Sequence, residues 1–422
     1  MIKKFCQKIG FALSKVIVIA IISTMTSCIE PPLKLPAQEV LIDMPMVLVD
    51  LDVIWDLDTD WSSQWYYGWD EKDRELWGEI GYPIPSSYEI RRYYLGEKPS
   101  VPHTNVDAFT IYGTHFRRTY EFGYYDMLIW SNIDSEDGTQ VVTVDEENIN
   151  EVTASTTISR GMNRVTTTTT LTPGTSVLTS AANSGESSVV TALYNQPEIF
   201  YSAYPRDIHI SRYKEDYDYY DEEEKCWVKQ INCDLDPLVY IYLVQVIIYN
   251  NDGRRVGCSG DNAISSFSSG TSVNTGHTWN KPVMVYYGSR FKKDIIFEHP
   301  DTLGIKQGEL IDIIGGRLTT YGLCDMDSYS ETKATSIYNG TRTDLKNYLY
   351  VDVKFSNGAQ ATIEADVTKQ CLEQAHGGII TVILDGNDIV VPPGPTPGGP
   401  SSLFVPTVED YDEVVYDLVM GR

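Results

Sequence analysis

Apolar and polar residues alternate along much of the chain, as they do in β-strands that bury one face and expose the other. From Val47 to Leu57 the apolar positions alternate with aspartates. Gly123 to Trp130 forms a second run of this kind, and the long apolar run Leu238 to Tyr249 ends at the turn sequence 250–253. These runs predict an all-β protein.

Two further patterns predict a hairpin and a pair of short helices. Alternating runs at 349–355 and 361–365 flank Asn357-Gly358, and Asn-Gly between alternating runs is the strongest short hairpin signal. Helices are expected at about 71–78 and about 366–376. For the second helix, Asp366 is the expected N-cap, and Gly377-Gly378 is the expected end.

The N-terminus has the composition of an export signal. A lysine-rich leader precedes an apolar run at 16–22, which is too short to span a membrane comfortably. Cys28 follows Met25-Thr26-Ser27, and this order resembles the lipobox of bacterial lipoproteins, in which the cysteine is lipidated. We therefore expect a signal peptide over 1–27 and a lipid on Cys28 that holds the protein at the membrane. The alternatives are an uncleaved anchor or a plain signal peptide with a chance cysteine.

Charge and cysteine content restrict the class of protein. The chain has 59 acidic and 33 basic residues, a net charge of −26, and loss of a leader with four lysines makes it −30. This sign argues against nucleic-acid partners and favours solubility. Five cysteines follow Cys28, and we expect most of them to be buried and unpaired, with one or two disulfides as the alternative. They are Cys226, Cys233, Cys258, Cys324 and Cys371.

Composition changes along the chain predict its domain organisation. A Thr/Ser-rich stretch at about 152–190 is expected to be a mobile insert or exposed hairpin, or alternatively a glycan-decorated loop. The acidic, tyrosine-rich stretch 213–224 is expected near a domain boundary. The predicted order is a signal peptide (1–27), a tether (28–39), an N-terminal β-sandwich (40–212), a C-terminal β-sandwich (213–391), a Pro/Gly linker (392–402) and a terminal strand (403–422).

The C-terminal strand stands apart from the rest of the chain. The Pro/Gly linker before it could reach about 30 Å, at ~3.1 Å per residue where extended. Val414, Tyr416, Leu418 and Met420 alternate with the residues between them. Such a strand needs a partner, so it is expected to be donated to a neighbouring subunit or to fold back onto its own sheet.

No motif for catalysis, metal binding or a cofactor is found, and we predict a non-catalytic protein with none of these. Six histidines are scattered without a close ligand pair. Asp56, Asp58 and Asp60 begin like a calcium loop, but Trp61 and Tyr67 occupy positions where that loop needs Gly and Glu. A glycosidase-like pair of carboxylates facing each other remains the alternative.

Aromatic residues crowd the stretch 55–77. We expect them to fill a core, with a platform for sugar rings as the alternative. The platform would use Trp61, Trp65 and Trp69.

Five features carry a resemblance to a known family. They are the lipobox, the first long strand from about 40, the sequences 124–132 and 196–201, and the detached last strand. Together they resemble the fimbrillin-like (type V pilus-related) lipoproteins of Bacteroidetes, in an uncharacterised branch. The resemblance implies two tandem transthyretin-like β-sandwich domains with short helices. It also implies a fimbrial subunit or anchor in surface fimbria assembly or adhesion, lipid-anchored in the outer membrane and exposed on the cell surface. Other fimbrial subunits would be partners by strand donation. The alternative is a cell-surface glycan-binding lipoprotein.

The chain departs from the polymerising members of that family at one point. In those members an arginine-specific protease removes the leader and the first strand. Here the first arginine after Cys28 is Arg74, beyond the first strand. The departure favours a subunit that keeps its lipid.

Overall fold

The computed structural model describes most of the region between Pro45 and Gly394. The described residues are 45–52, 64–96, 104–131, 141–144, 146–164, 167–172, 175–179, 189–251, 256–276, 278, 283–287, 289–296, 310–324 and 346–394. Cys28, Trp61 and the terminal strand 403–422 lie outside these ranges. Within them, no helix is both long and apolar enough to cross a membrane.

Most of the regular structure is β-strand, so the predicted all-β class is confirmed. The helices are α1 (Glu71–Trp77), a 3-10 turn (Lys214–Asp216) and α2 (Thr368–Glu373). The strands are β1 (Met46–Asp52), β2 (Ser87–Gly96), β3 (Thr104–Tyr112), β4 (His115–Thr119), β5 (Gly123–Ser131), β6 (Val141–Val144), β7 (Thr153–Thr156), β8 (Ile158–Arg164), β9 (Thr167–Thr172), β10 (Thr175–Thr179), β11 (Val189–Tyr194), β12 (Tyr201–Ala203), β13 (Ile208–Ile210), β14 (Tyr219–Asp221), β15 (Cys226–Asp234), β16 (Asp236–Pro237), β17 (Tyr240–Tyr249), β18 (Gly257–Phe267), β19 (Gly270–Ser272), β20 (Val283–Tyr287), β21 (Arg290–Ile296), β22 (Leu310–Thr320), β23 (Tyr348–Lys354), β24 (Gln360–Asp366) and β25 (Gly378–Asp385).

The predicted hairpin and both predicted helices are present. Strands β23 and β24 pair on either side of Asn357-Gly358, and Gly358 takes a positive φ of 80° that suits glycine. Helix α1 begins with a capping box, in which Asp70 and Asp73 each accept a hydrogen bond from the other's backbone N–H. Helix α2 begins after Val367, one residue beyond the expected N-cap.

Two facing sheets form the first sandwich. One has the strand order β14-β15-β1-β4, and the other has the order β16-β12-β5-β2-β3 with β13 also paired to β5. Strand β1 is an inner strand, parallel to β15 and antiparallel to β4. Val47, Val49 and Leu51 of β1 pack in one core with Ile90 of β2 and Met127 of β5.

An eight-stranded and a four-stranded sheet face each other in the second sandwich, with strand orders β8-β11-β20-β18-β23-β24-β10-β9 and β21-β22-β17-β25. Their shared core includes Val244 and Val246 of β17 against Val351 of β23. Alternate residues of β17, including Ile241 and Leu243, belong to a separate cluster on the other face of its sheet. That sheet is therefore buried on both faces, which explains why β17 is apolar almost throughout.

A third core joins the sandwiches. Leu128 and Trp130 of β5 project from the outer face of the first sandwich. They share a cluster with Ala154 of β7, with Leu238, and with Tyr321, which directly follows β22. The small sheet β19-β7-β6 lies at this junction.

Strand pairing does not follow the chain order that the predicted domain limits assume. Strands β14 and β15 lie after residue 212 but pair within the first sandwich, next to β1. Strands β9 and β10 lie in the Thr/Ser-rich stretch, yet β10 pairs with β24 of the second sandwich. The division into two tandem domains at 212/213 and the transthyretin-like topology stay predictions.

Candidate functional site

The aromatic stretch from Gln64 to Tyr82, here called the strap, lies across the outer face of the sheet β21-β22-β17-β25. Trp65 and Tyr67 are 9% and 3% exposed and pack on Leu243 and Ile313. The ring of Tyr67 fills the space above Gly315, where a Cβ atom would overlap the ring. The strap therefore forms core structure on a sheet face that would otherwise be exposed and apolar.

A buried glutamine fixes the strap's backbone to β17. The Gln245 Oε1 atom accepts hydrogen bonds from the N–H groups of Tyr66 and Tyr67, at 3.0 and 3.3 Å. The Gln245 Nε2 atom donates to the carbonyl of Gln64 at 2.8 Å and to Thr381 Oγ1 at 2.9 Å. These contacts satisfy a polar side chain that is completely buried.

An ion cluster holds α1 on β21. Asp73 is 0% exposed and accepts hydrogen bonds from Arg290, from Lys292 at 2.8 Å and from the Tyr67 hydroxyl at 2.8 Å. Arg290 and Lys292 also pair with Asp70, at 2.8 and 3.0 Å. Burial opposes the charge on Asp70, but the hydrogen bonds from Arg290 and Lys292 outweigh it and hold the pKa of Asp70 well below its usual range.

Two tryptophans of the predicted sugar platform, Trp65 and Trp69, lie in the strap. Trp65 is buried and its indole N–H donates to the Gly68 carbonyl at 2.8 Å. Trp69 is partly buried against Trp77, with ring centroids 5.3 Å apart. The face of Trp65 thus lies in a core rather than at a surface. A role for Trp61 or Trp69 in binding a glycan stays a prediction.

A second candidate site is a cleft of about 650 Å³ where the two sandwiches meet, here called the junction cleft. Its floor includes buried Ala203 and Leu238. Its walls carry the functional groups of Tyr204, Arg206, Asp234, Asp236, Tyr240 and His376. These residues come from the loop after β12, from strands β15, β16 and β17, and from the loop after α2.

Local contacts position these groups. The Tyr204 hydroxyl donates to Asp126 Oδ2 at 3.0 Å, and the backbone N–H of Asp207 donates to Asp126 Oδ1 at 2.8 Å, which fixes the loop between them. The Arg206 guanidinium stacks 4.4 Å from the centre of the Tyr204 ring. The rings of Tyr240 and His376 lie 5.0 Å apart.

The electrostatics of the junction cleft are mixed. Asp236 is exposed, but partial desolvation of its carboxyl in the cleft and the nearby Asp234 raise its pKa above the usual value. Burial lowers the pKa of His376, so the imidazole is neutral at pH 7. The cleft thus offers one guanidinium, two carboxylates and amphipathic rings.

Four cysteines, Cys226, Cys233, Cys324 and Cys371, form no disulfide bond, which agrees with the expectation that most are unpaired with one another. Burial raises the pKa of the Cys233 thiol to about 12, so this thiol is protonated and unreactive at neutral pH. In the described ranges no three His, Cys, Asp or Glu side chains come together as a metal site.

Comparisons with known proteins give matches among solved structures only. No protein-family model matches the chain, and no curated protein matches it. A candidate adhesin from Bacteroides ovatus matches with a TM-score of 0.42 and 11% identity, over 84% of this chain and 95% of that one. A candidate adhesin from Bacteroides thetaiotaomicron matches with a TM-score of 0.42 and 9% identity, over 82% and 93%. The fimbrial anchor protein Mfa2 from Porphyromonas gingivalis matches with a TM-score of 0.37 and 11% identity, over 81% and 91%.

These neighbours are named as adhesin and fimbrial proteins, and they come from Bacteroidetes. Since the TM-scores are below 0.5, the description of the fold above rests on this chain's own strands and cores.

The junction cleft contains residues that sequence reasoning did not select. Its groups are drawn from 204–206, 232–240, 274–276 and 376, and no motif links these positions. The one available signal is the alternation of exposed polar residues from Asn232 to Asp236, which is indistinguishable from an ordinary solvated strand.

Proposed function

We propose that this chain is a non-catalytic lipoprotein of the outer membrane that acts at the cell surface, as a fimbrillin-like subunit or anchor in fimbria assembly or adhesion. The observation that carries the proposal is the position of β1. This strand begins shortly after the predicted lipid site Cys28 and is locked between two neighbours. The intervening residues 28–44 reach at most about 60 Å at ~3.5 Å per residue.

The pairing of β1 supports an anchor that keeps its first strand. Every residue from Met46 to Asp52 is in register with β15, and Val47 and Val49 are fully buried. Removing β1 would expose a core and two strand edges. Arg74 lies in α1, inside the ion-paired strap, so a cut there would leave β1 in place. The lipid-bearing fragment would thus stay attached to the folded body through the pairing of β1 with β15 and β4.

The end of the described chain supports a projecting C-terminal segment. Val391 packs against the core of the second sandwich, and Asn357 Nδ2 donates to the Pro392 carbonyl at 2.8 Å. The first residues of the Pro/Gly linker therefore lie beside the turn of the β23–β24 hairpin. We infer that residues 403–422 pair with a neighbouring subunit through Val414, Tyr416, Leu418 and Met420.

Metabolic labelling with a palmitate analogue tests the lipid anchor. Wild type and Cys6→Ala should be labelled and recovered with outer membranes, because Cys6 lies in the predicted leader. Cys28→Ala should lose the label and the membrane attachment. Equal labelling of Cys28→Ala would overturn the proposal.

Deletion of residues 403–422 tests strand donation. Wild type in outer membranes should give higher oligomers after cross-linking, and the deletion variant should give monomers. Deleting twenty residues elsewhere in the chain would harm the fold and could not serve as a control. A second variant therefore keeps the full length and replaces Val414 and Leu418 by threonine. This control keeps strand propensity but weakens apolar packing, and it should give intermediate oligomer yields. Oligomers that persist in the deletion variant would contradict strand donation.

A further inference from the structure

The junction cleft carries charged groups that the fold leaves unused. Within the described part of the chain, no hydrogen bond or ion pair engages the carboxylates of Asp234 and Asp236 or the guanidinium of Arg206. All three residues are exposed. Groups of opposite sign in one cleft that do not pair with each other are available to a ligand.

One wall is a regular polar stripe along β15 and β16. Asn232, Asp234 and Asp236 are exposed, while Cys233 and Leu235 between them are buried. Residues two apart on a strand lie ~6.8 Å apart on the same side. The stripe thus offers a row of oxygen acceptors along the cleft.

The other walls supply aromatic rings and hydrogen-bond donors. Tyr204 and Tyr240 are half-buried; the Arg206 guanidinium lies over the Tyr204 ring, and the Tyr240 ring is tilted by 42° against the His376 ring. Aromatic side chains of this kind combine a flat apolar face with a polar tip. Arg206 adds a planar set of N–H donors.

The charge balance selects the ligand class. Two carboxylates against one guanidinium, with His376 neutral, give the cleft a small negative charge on a strongly acidic protein. This charge disfavours polyanions. Arg206 in turn disfavours a polycation. A ligand with hydroxyl groups fits better, because each hydroxyl both donates to a carboxylate and accepts from a guanidinium or amide.

We propose that the junction cleft binds a neutral oligosaccharide, with Asp234 and Asp236 accepting from its hydroxyls, Arg206 donating to its oxygens, and the tyrosine rings contacting its apolar faces. The cleft volume of about 650 Å³ lies within the ~300–1,000 Å³ range of ligand sites. This inference rests on the proposed adhesive role and gives it a ligand.

Isothermal titration of the detergent-solubilised full chain with a panel of neutral hexasaccharides tests the proposal. The panel contains hexamers of β-1,4-glucose, α-1,4-glucose, β-1,4-xylose, β-1,4-mannose and β-1,4-N-acetylglucosamine. At least one should bind saturably. Arg206→Gln and Asp236→Asn should each weaken that binding at least tenfold, because each change removes a group that contacts the sugar. Both side chains are exposed, so neither change should unfold the protein. Asp388→Asn, an exposed aspartate in the turn after β25, should bind like wild type.

Three results would overturn the proposal. They are the absence of saturable binding to every hexamer, binding that is unchanged in both cleft variants, and binding of hexalysine in place of the sugars. Cys28→Ala separates this inference from the lipid anchor. It should keep sugar binding while losing membrane attachment, so failure of one claim is distinguishable from failure of the other.

Discussion

The strap and the junction cleft are both rich in aromatic and charged residues, but their polar groups are used differently. In the strap, Asp70 and Asp73 pair with Arg290 and Lys292, and Trp65 is buried. In the cleft, Asp234, Asp236 and Arg206 are exposed and unpaired within the described residues. A dense aromatic run in the sequence therefore marks a structural clamp. The surface available to a ligand is assembled from scattered positions.

The largest loss of stability is expected when the charge of the buried Asp73 carboxylate in the strap is removed. Asp73→Asn removes the charge that Arg290 and Lys292 face, and breaking one side of a buried ion pair costs about 3–5 kcal/mol. We expect a loss of this size in the free energy of unfolding, measured by urea titration with tryptophan fluorescence. Glu75→Gln, on the exposed side of the same helix, should change it by less than ~0.5 kcal/mol. A loss below ~1 kcal/mol for Asp73→Asn would mean that the cluster does not clamp the strap.

A smaller loss is expected at Gln245. Gln245→Met keeps the volume but leaves the N–H groups of Tyr66 and Tyr67 and the Gln64 carbonyl without their partner. Each unmade buried hydrogen bond costs about 1–3 kcal/mol, so the variant should lose about 2 kcal/mol or more. The matched change Gln360→Met lies at an exposed position of β24 and should be nearly neutral. Equal effects of the two variants would contradict the docking of the strap on β17.

The ion cluster that holds the strap should also make the stability of the protein depend on pH, with a smaller effect than the two substitutions above. The pKa of Asp70 is lower in the folded protein than its unfolded value of ~3.9. Its stabilising contribution is therefore present above about pH 4 and is lost as the pH falls through the folded pKa. Between pH 5 and pH 2 the urea midpoint should fall more steeply for wild type than for Asp70→Asn. Asp388→Asn should follow wild type, and parallel curves for wild type and Asp70→Asn would disprove the linkage.

The smallest change in stability is expected for a substitution of Asp236 in the junction cleft. The pKa of Asp236 is raised by partial desolvation and by Asp234, so ionised Asp236 slightly destabilises the fold above that pKa. At pH 7, Asp236→Asn should stabilise the protein slightly, by less than ~0.5 kcal/mol. A large destabilisation, seen in the same urea titration, would show that Asp236 holds the fold together and is not free for a ligand.

Local patterns predicted the elements better than their arrangement. The hairpin at Asn357-Gly358 and the helix at 71–77 follow from turn and capping chemistry that acts over a few residues. The pairing of β1 with β15 joins positions about 180 residues apart, which no local pattern encodes. The same holds for Lys292 and Asp73, because an exposed-looking lysine on a strand gives no sign of a buried partner.

The candidate sites also differ in whether a local sequence pattern predicts them. The lipobox at Cys28 is a contiguous motif, so the sequence alone predicts it. The junction cleft depends on how two sandwiches pack, and its polar stripe on β15 only becomes part of a cleft because β15 crosses into the first sandwich. The expectation that the crowded aromatic residues fill a core holds at Trp65, which covers the apolar outer face of the sheet β21-β22-β17-β25.

Mass spectrometry of the N-terminal peptide of the membrane-purified protein tests the central claim most directly. We predict a peptide that begins at Cys28 and carries a diacylglycerol group with an additional acyl chain on its amine. A peptide that begins at Met1, or one that contains an unmodified Cys28, would contradict the account of a lipid-anchored surface protein.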